Sequence, residues 1–161
     1  ENLKDFKKRP NKIIDVGFKY WTIGLFFMVI SNLILMKFFP GTSSNNENAV
    51  QLYIQNFPIL AIISTSLLGP FIEEVVFRKT FKDMIKKPIF FILISGIVFG
   101  LMHVLGQATT LAEFLYFIPY AALGISFAWM YYKTDNFFTP CMMHFIHNLI
   151  LTLISIIGLS L

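Results

Sequence analysis

Glu73 and Glu74 stand side by side, and Arg78 follows four residues later, inside a run otherwise made of isoleucine, leucine, valine and phenylalanine. A charged side chain at the centre of a bilayer costs roughly 2.5–3.5 kcal/mol on insertion scales, so three in one stretch call for internal partners, a wet cavity or a function. The three histidines of the chain, His103, His144 and His147, also lie in apolar segments. At helical spacing Glu74 and Arg78 share a face, acid first, which is the favourable order for an ion pair of this kind. Their simplest role is to lock the helix internally. Glu73 points about a quarter-turn away and lacks that partner, which makes it the stronger candidate for a reactive group. His144 and Asn148, four apart, share a face of a later segment. His147 has two open readings, a supporting place around the site or packing alone.

This set suits peptide hydrolysis. Glu73 is the candidate general base, taking a proton from water, with His103 helping to hold that water. A tetrahedral intermediate carries a negative oxygen and needs fixed donors, which His144 and Asn148 could supply from one helical face. Other chemistries lack their signatures. No serine or cysteine stands in a nucleophile elbow, and no His-Glu-x-x-His run exists. No Cys/His cluster has structural-zinc spacing. The single cysteine, Cys141, permits no internal disulfide and reads as a small buried hydrophobe.

The elements that must hold these residues are transmembrane helices. Of 161 residues, 56% are hydrophobic and 19 are phenylalanine, far beyond an ordinary soluble domain, so the expected fold is all-α, a polytopic helical bundle of about five spans around a polar cavity. The net charge of +4 reads as loop lysines at a cytoplasmic surface and not as a nucleic-acid face. Residues 1–19 form a basic juxtamembrane segment, either a solvated tail or an amphipathic helix. A first span follows over 20–39, with Tyr20 and Trp21 at its interfacial start. The segment 40–46 is a loop. A second, long helix begins between Asn48 and Pro58, is kinked at Gly69-Pro70, and ends near Lys87. Spans over 88–105, 111–132 and 137–161 complete the set. Basic and non-basic connections alternate, which places the amino terminus in the cytoplasm and the carboxyl terminus outside. The stretch from Gly41 to Asn56 is a lid or a plain loop. In this layout His103 lies near the outer end of its span and His144 nearer the inner end of its own, so tilt or a kink has to bring them level.

Three ordered motifs carry a resemblance. They are Glu-Glu-x-x-x-Arg at Glu73, Glu74 and Arg78, Phe-x-x-x-His at Phe99 and His103, and His-x-x-x-Asn at His144 and Asn148. In order and separation they resemble the CAAX protease and bacteriocin-processing family, the intramembrane glutamate proteases also called Abi proteins. The resemblance covers about residues 60–151 and implies a single protease domain over 20–161, with Glu73 and His103 activating water and His144 and Asn148 binding the oxyanion. Glu74, Arg78, Phe99 and His147 then support them. It implies no cofactor, with a divalent metal on Glu73, His103 and His144 as a minority alternative. The implied partners are the bilayer and a peptide or protein substrate, lipidated or a pheromone or bacteriocin precursor, with no nucleic acid. The implied location is a bacterial cell membrane. Because family members often carry further amino-terminal spans and this chain starts at Glu1, a fragment, processed form or reduced member is expected. Two other functions compete. One is a non-catalytic immunity or scaffold protein that keeps the polar cluster for bundle specificity. The other is a small proton-coupled transporter, since intramembrane carboxylates also mark proton relays.

Overall fold

The computed structural model describes residues 2–159, with only the backbone of residue 159. Helices and short connections account for the described residues, and no strand occurs among them. A short helix α1 (Asn2–Lys8) leads into α2 (Pro10–Phe38). Helix α3 (Asn45–Asn56) is separate, and α4 (Pro58–Met84) follows it. Then come α5 (Pro88–Met102), the short α6 (Leu111–Leu115), α7 (Phe117–Thr134) and α8 (Phe138–Leu159). By length and composition α2, α4, α6–α7 together and α8 are each apolar enough to cross a bilayer. At 15 residues α5 is shorter, roughly 22 Å at the α-helical rise.

The boundaries follow local chemistry. The first long helix starts at Pro10, ten residues before the first apolar run expected from hydropathy, because proline suits a first helical turn. Ile13 within that extension is fully buried. The polar stretch before Pro58 forms its own helix: Ser44 caps it, its hydroxyl accepting from Glu47 N–H at 3.4 Å, and Phe57 precedes a proline, where an α conformation is disfavoured. Helix α7 ends where Asp135 takes a left-handed conformation, φ 50°. The side chain of the buried Asn136 then donates to the carbonyl of Asn2 and to Asp5, each at 2.8 Å.

Helix α7 is the centre. Half of its apolar stretch is buried, against 11% for α2. It meets α5 nearly backbone to backbone. A Cβ at Gly100 would lie 2.5 Å from the carbonyl oxygen of Phe117 and 2.7 Å from the nitrogen of Ala121, and one at Gly124 would lie 2.8 Å from the carbonyl oxygen of Gly96. Small residues allow such close approach where lipid provides no hydrophobic drive between helices. On its other side α7 packs α2, where Gly24 faces Ser126 and the Ser126 hydroxyl donates to the Tyr20 carbonyl. Leu123, Phe127 and Met130 of α7 join Met143 of α8 in a core that α2 covers with Val16, Tyr20, Trp21 and Met28.

The proline of Gly69-Pro70 does not break α4. Two π-helical stretches, Ile62–Leu68 and Glu74–Thr80, flank a short α-helical turn, Gly69–Glu73, so the irregularity expected as a kink is a change of hydrogen-bond register. At the end of the bundle that carries α1, Arg9 pairs with Asp5 and donates to the Thr134 carbonyl at 2.8 Å. Lys82 pairs with Asp135 and lies over Tyr131.

Two outcomes test this packing. Gly100→Ala should lower the melting temperature in detergent although alanine is the better helix former, since overpacking costs about 1–3 kcal/mol; Gly158→Ala, with open space around it, should not. Hydrogen bonds from Arg9 and Asn136 hold the Asp5 carboxyl down to about 2, below its ordinary 3.8. A depressed carboxyl contributes above its unfolded pKa and loses the contribution as pH falls through the folded one. Docking of α1 on the 134–137 turn should therefore weaken between about pH 4 and 2, read as faster amide exchange of that turn, and Asp5→Asn should show the weakening already at neutral pH.

Candidate active site

Helix α4 supplies two adjacent carboxylates and an arginine. Glu74 and Arg78 are both fully buried, with Nε 3.1 Å from Oε2. The contact is ionic and not an aligned hydrogen bond, since Arg78 Nε and Nη2 and Glu74 Oε2 have no hydrogen-bond partner. The guanidinium is enclosed instead by rings, lying 4.6 Å from the Phe99 centroid and 5.7 Å from that of Phe127. Its Nη1 reaches the hydroxyl of the buried Ser95 at 3.5 Å. Desolvated cation–π contacts of this kind are worth about 2 kcal/mol.

The other Glu74 oxygen accepts from His144 Nδ1 at 2.9 Å. A carboxylate only accepts, so Nδ1 carries the proton there. The opposite nitrogen, Nε2, lies 3.7 Å from Glu73 Oε2, beyond hydrogen-bond range. Phe127 stacks on this imidazole at 4.7 Å. The two neighbouring glutamates thus address opposite nitrogens of one histidine, Glu74 by a hydrogen bond and Glu73 across a gap. Glu73 Oε2 is itself buried and without a hydrogen-bond partner.

His103 approaches from α5. Its Nδ1 donates to the Phe99 carbonyl at 2.8 Å, which folds the side chain back toward the middle of the helix and leaves Nε2 as an acceptor. The Phe99 ring lies between the two imidazoles, 4.5 Å from that of His103 and 5.7 Å from that of His144. Through this backward fold both imidazoles come against one ring, so the two histidines that the sequence layout set at different depths share a neighbour in Phe99. Tyr120 stacks on the outer face of His103 at 4.4 Å, and its hydroxyl contacts Ser44 and the amide of Asn46. A narrow crevice lined by Asn45, Asn46, Gln107 and Glu113 reaches His103 from the side of α3.

Asn148 lies one turn along α8 from His144, and its Nδ2 donates to the carbonyl of Thr65 on α4 at 2.8 Å. Both residues of this motif share a face, as their spacing predicts, and that face meets α4. His147 turns elsewhere: Trp21 of α2 donates to its Nδ1 at 3.4 Å. Trp21 thus serves a buried partner and not only an interfacial position. Cys141 is half-buried and unbridged. Among the described residues no three His, Cys, Asp or Glu side chains form a metal-binding group. In the set Glu73, His103 and His144, Nδ1 of each histidine is committed, to Phe99 or to Glu74, so Nε2 is the nitrogen each presents to the site.

Sequence reasoning did not single out Ser95, Tyr120, Phe127 or Thr65. The first three make contacts between distant segments that no local pattern announces. Thr65 had a readable signal, since it stands five residues before Pro70.

Comparison with known proteins agrees with the motifs. The chain is 31% identical over 137 residues to YdiL of Bacillus subtilis, a candidate membrane peptidase, covering 80% of this chain and 52% of that protein. It is 25% identical over 153 residues to the membrane-embedded CAAX protease MroQ of Staphylococcus aureus, covering 88% of this chain and 58% of MroQ. The UPF0177 protein YxdF of Lactococcus lactis is 26% identical over 153 residues, with 89% and 81% covered. The chain thus spans a little over half the length of YdiL and of MroQ. No solved structure matches. The sequence pattern of the type II CAAX prenyl endopeptidase Rce1-like family matches residues 55–150, the stretch that holds every motif residue from Glu73 to Asn148; the chain belongs to that family.

Proposed function

We propose that this chain carries the catalytic core of an intramembrane endopeptidase, anchored in a bacterial cell membrane with its amino terminus in the cytoplasm. In this reading Glu73 acts as general base. The observation that carries it is the buried, unpartnered Oε2 of Glu73 facing His144 Nε2 across 3.7 Å. A carboxylate oxygen poised beside an imidazole, in a site walled by Phe99 and Phe127, suits abstraction of a proton from water. His103, with Nδ1 tied to a carbonyl and Nε2 left to accept, orients that water. Addition of the hydroxide to a peptide carbonyl places negative charge on oxygen. In this reading His144 meets it as an imidazolium, with Nδ1–H kept by Glu74 and Nε2–H donated to the oxyanion, and the second N–H of Asn148 donates beside it. The proton held by Glu73 then passes to the leaving amine as the carbon–nitrogen bond breaks.

Glu74 and Arg78 work one step back. Glu74 holds the proton of His144 at Nδ1, and Arg78 neutralises Glu74 where no water reaches. The substrate in this proposal is a peptide or protein at the membrane, lipidated or a pheromone or bacteriocin precursor. Membership of a family described as prenyl endopeptidases, together with similarity to a CAAX protease, supports the first class.

Screening prenylated and unmodified precursor peptides in detergent should reveal cleavage by the wild type that is abolished by Glu73→Gln and by His103→Ala without loss of folding. Asn148→Ala should lower kcat by about a hundredfold, and a strong chelator should leave the rate unchanged. Cleavage retained by both Glu73→Gln and His103→Ala would remove the protease assignment, and proton flux in proteoliposomes that Glu73→Gln abolishes would favour a transporter.

Arg78 gives a separate outcome. Arg78→Met strands a buried carboxylate at a cost of about 3–5 kcal/mol, so its melting temperature should fall steeply. Adding Glu74→Gln to Arg78→Met should restore part of the loss, which a purely steric role for Arg78 would not allow.

A further inference from the structure

Asn148 is held by a backbone carbonyl, and the sequence explains why that carbonyl is available. Thr65 lies in the first π-helical stretch of α4, Ile62–Leu68. There N–H groups bond to the carbonyl five residues back, as Gly69 N–H does to Ser64. In the same register the Thr65 carbonyl would take the N–H of residue 70. That residue is Pro70, which is fully buried and has no N–H to give. A carbonyl left unpaired inside a membrane protein costs several kcal/mol. The Asn148 side chain occupies this position, its Nδ2 donating at 2.8 Å.

We infer that Pro70 is a positioning residue for the hydrolytic site: by withholding a backbone N–H it frees the Thr65 carbonyl to fix the side-chain amide of Asn148. The bond decides which end of the amide is which. With one N–H committed to Thr65, the carboxamide plane is set and the second N–H has a fixed direction. Without the anchor an asparagine amide rotates broadly about its last torsion, and a donor to a developing oxyanion gains its effect from being oriented beforehand. Pro70 stands three residues before Glu73, so one short turn of α4, Gly69–Glu73, carries both the general base and the device that orients a donor on α8. The catalytic consequence rests on the reading of Asn148 as an oxyanion donor; the pairing of Pro70 with Asn148 through Thr65 does not.

Pro70→Ala restores the missing N–H and gives the Thr65 carbonyl a partner within its own helix. In detergent, Asn148→Ala should lower the melting temperature of the wild type by several degrees, because the carbonyl is then unpaired. In the Pro70→Ala background the same substitution should lower it little or not at all. Equal drops in the two backgrounds would overturn the inference. This cycle needs no substrate, so it decides the matter even if the wild type cleaves none of the precursor peptides, a result that would count against the protease reading alone. On a peptide that is cleaved, Pro70→Ala should reduce kcat on the order of tenfold at nearly constant KM while its melting temperature holds or rises. It should cost nothing further when combined with Asn148→Ala, and losses that multiply in the double variant would overturn the inference.

Discussion

A guanidinium that no solvent reaches is the constraint around which this bundle is arranged. Arg78 sits in an apolar helix, fully buried, and cannot shed its charge as a lysine or carboxyl can. Four helices answer it. Helix α4 supplies Glu74, α5 supplies Ser95 and the face of Phe99, and α7 supplies Phe127. From α8 comes His144, bound to the far oxygen of the same glutamate. The neutralising carboxylate and the group that orients the imidazole are therefore one side chain. Such a pair is weak evidence for net stability, because desolvation offsets most of its attraction, yet breaking it by removing one partner is costly. That asymmetry holds the helices in one relative arrangement whatever the net energy.

The π-helical register of α4 is matched by polar side chains, two from neighbouring helices and one of its own. A helix that shifts from bonds four residues back to bonds five residues back leaves backbone groups to be satisfied otherwise, and lipid satisfies none of them. The Phe77 carbonyl receives the Ser95 hydroxyl at 2.7 Å, the Val75 carbonyl receives Thr80 at 3.1 Å, and the Thr65 carbonyl receives Asn148. Each irregular turn thus has a polar side chain assigned to it. Regular helical geometry would send adjacent glutamates about 100° apart. Here both approach the same imidazole, one on each nitrogen. Local irregularities of this type concentrate at functional sites, and α4 holds two of them within reach of Glu73.

Much of this was legible in the chain itself. The four-residue spacing of Glu74 and Arg78 gave their pairing, and that of His144 and Asn148 gave a common face, though not the helix it meets. The isolation of the histidines within apolar segments pointed to an interior meeting place. The partners across helices were not legible. Nothing local says that Glu74 would bind His144, that Trp21 would take up His147, or that Tyr120 would cover His103, because each pairing depends on how segments seventy or more residues apart, or two neighbouring helices, dock. Periodicity arguments also assume one helical register, so a proline within an apolar run reads as a kink, whereas α4 absorbs it by changing register. Apolar length misled on α5 for a similar reason: the run continues to Leu105 while the helix ends at Met102, where His103 turns back on Phe99.

The two sides of the bundle are held by different chemistry. Glycines press α5 onto α7 so closely that no side chain could come between them. The carboxyl-terminal half of α8 meets α4 and α3 through a row of polar pairs: Asn148 with Thr65, Thr152 with Ser66, and Ser155 with Gln51. Side-chain pairs such as Thr152 with Ser66 and Ser155 with Gln51 contribute only about 0.6 kcal/mol each in membrane proteins, because the alternatives in the membrane also find partners, whereas Asn148 meets a carbonyl that Pro70 leaves without a helical partner. The row is not explained by strength of adhesion. What it shares is position, since it begins one turn beyond His144, whose Nε2 faces Glu73, and runs along the same face of α8. Polar side chains are costly anywhere in lipid, and here they are gathered on one face of α8, each with a partner on α4 or α3.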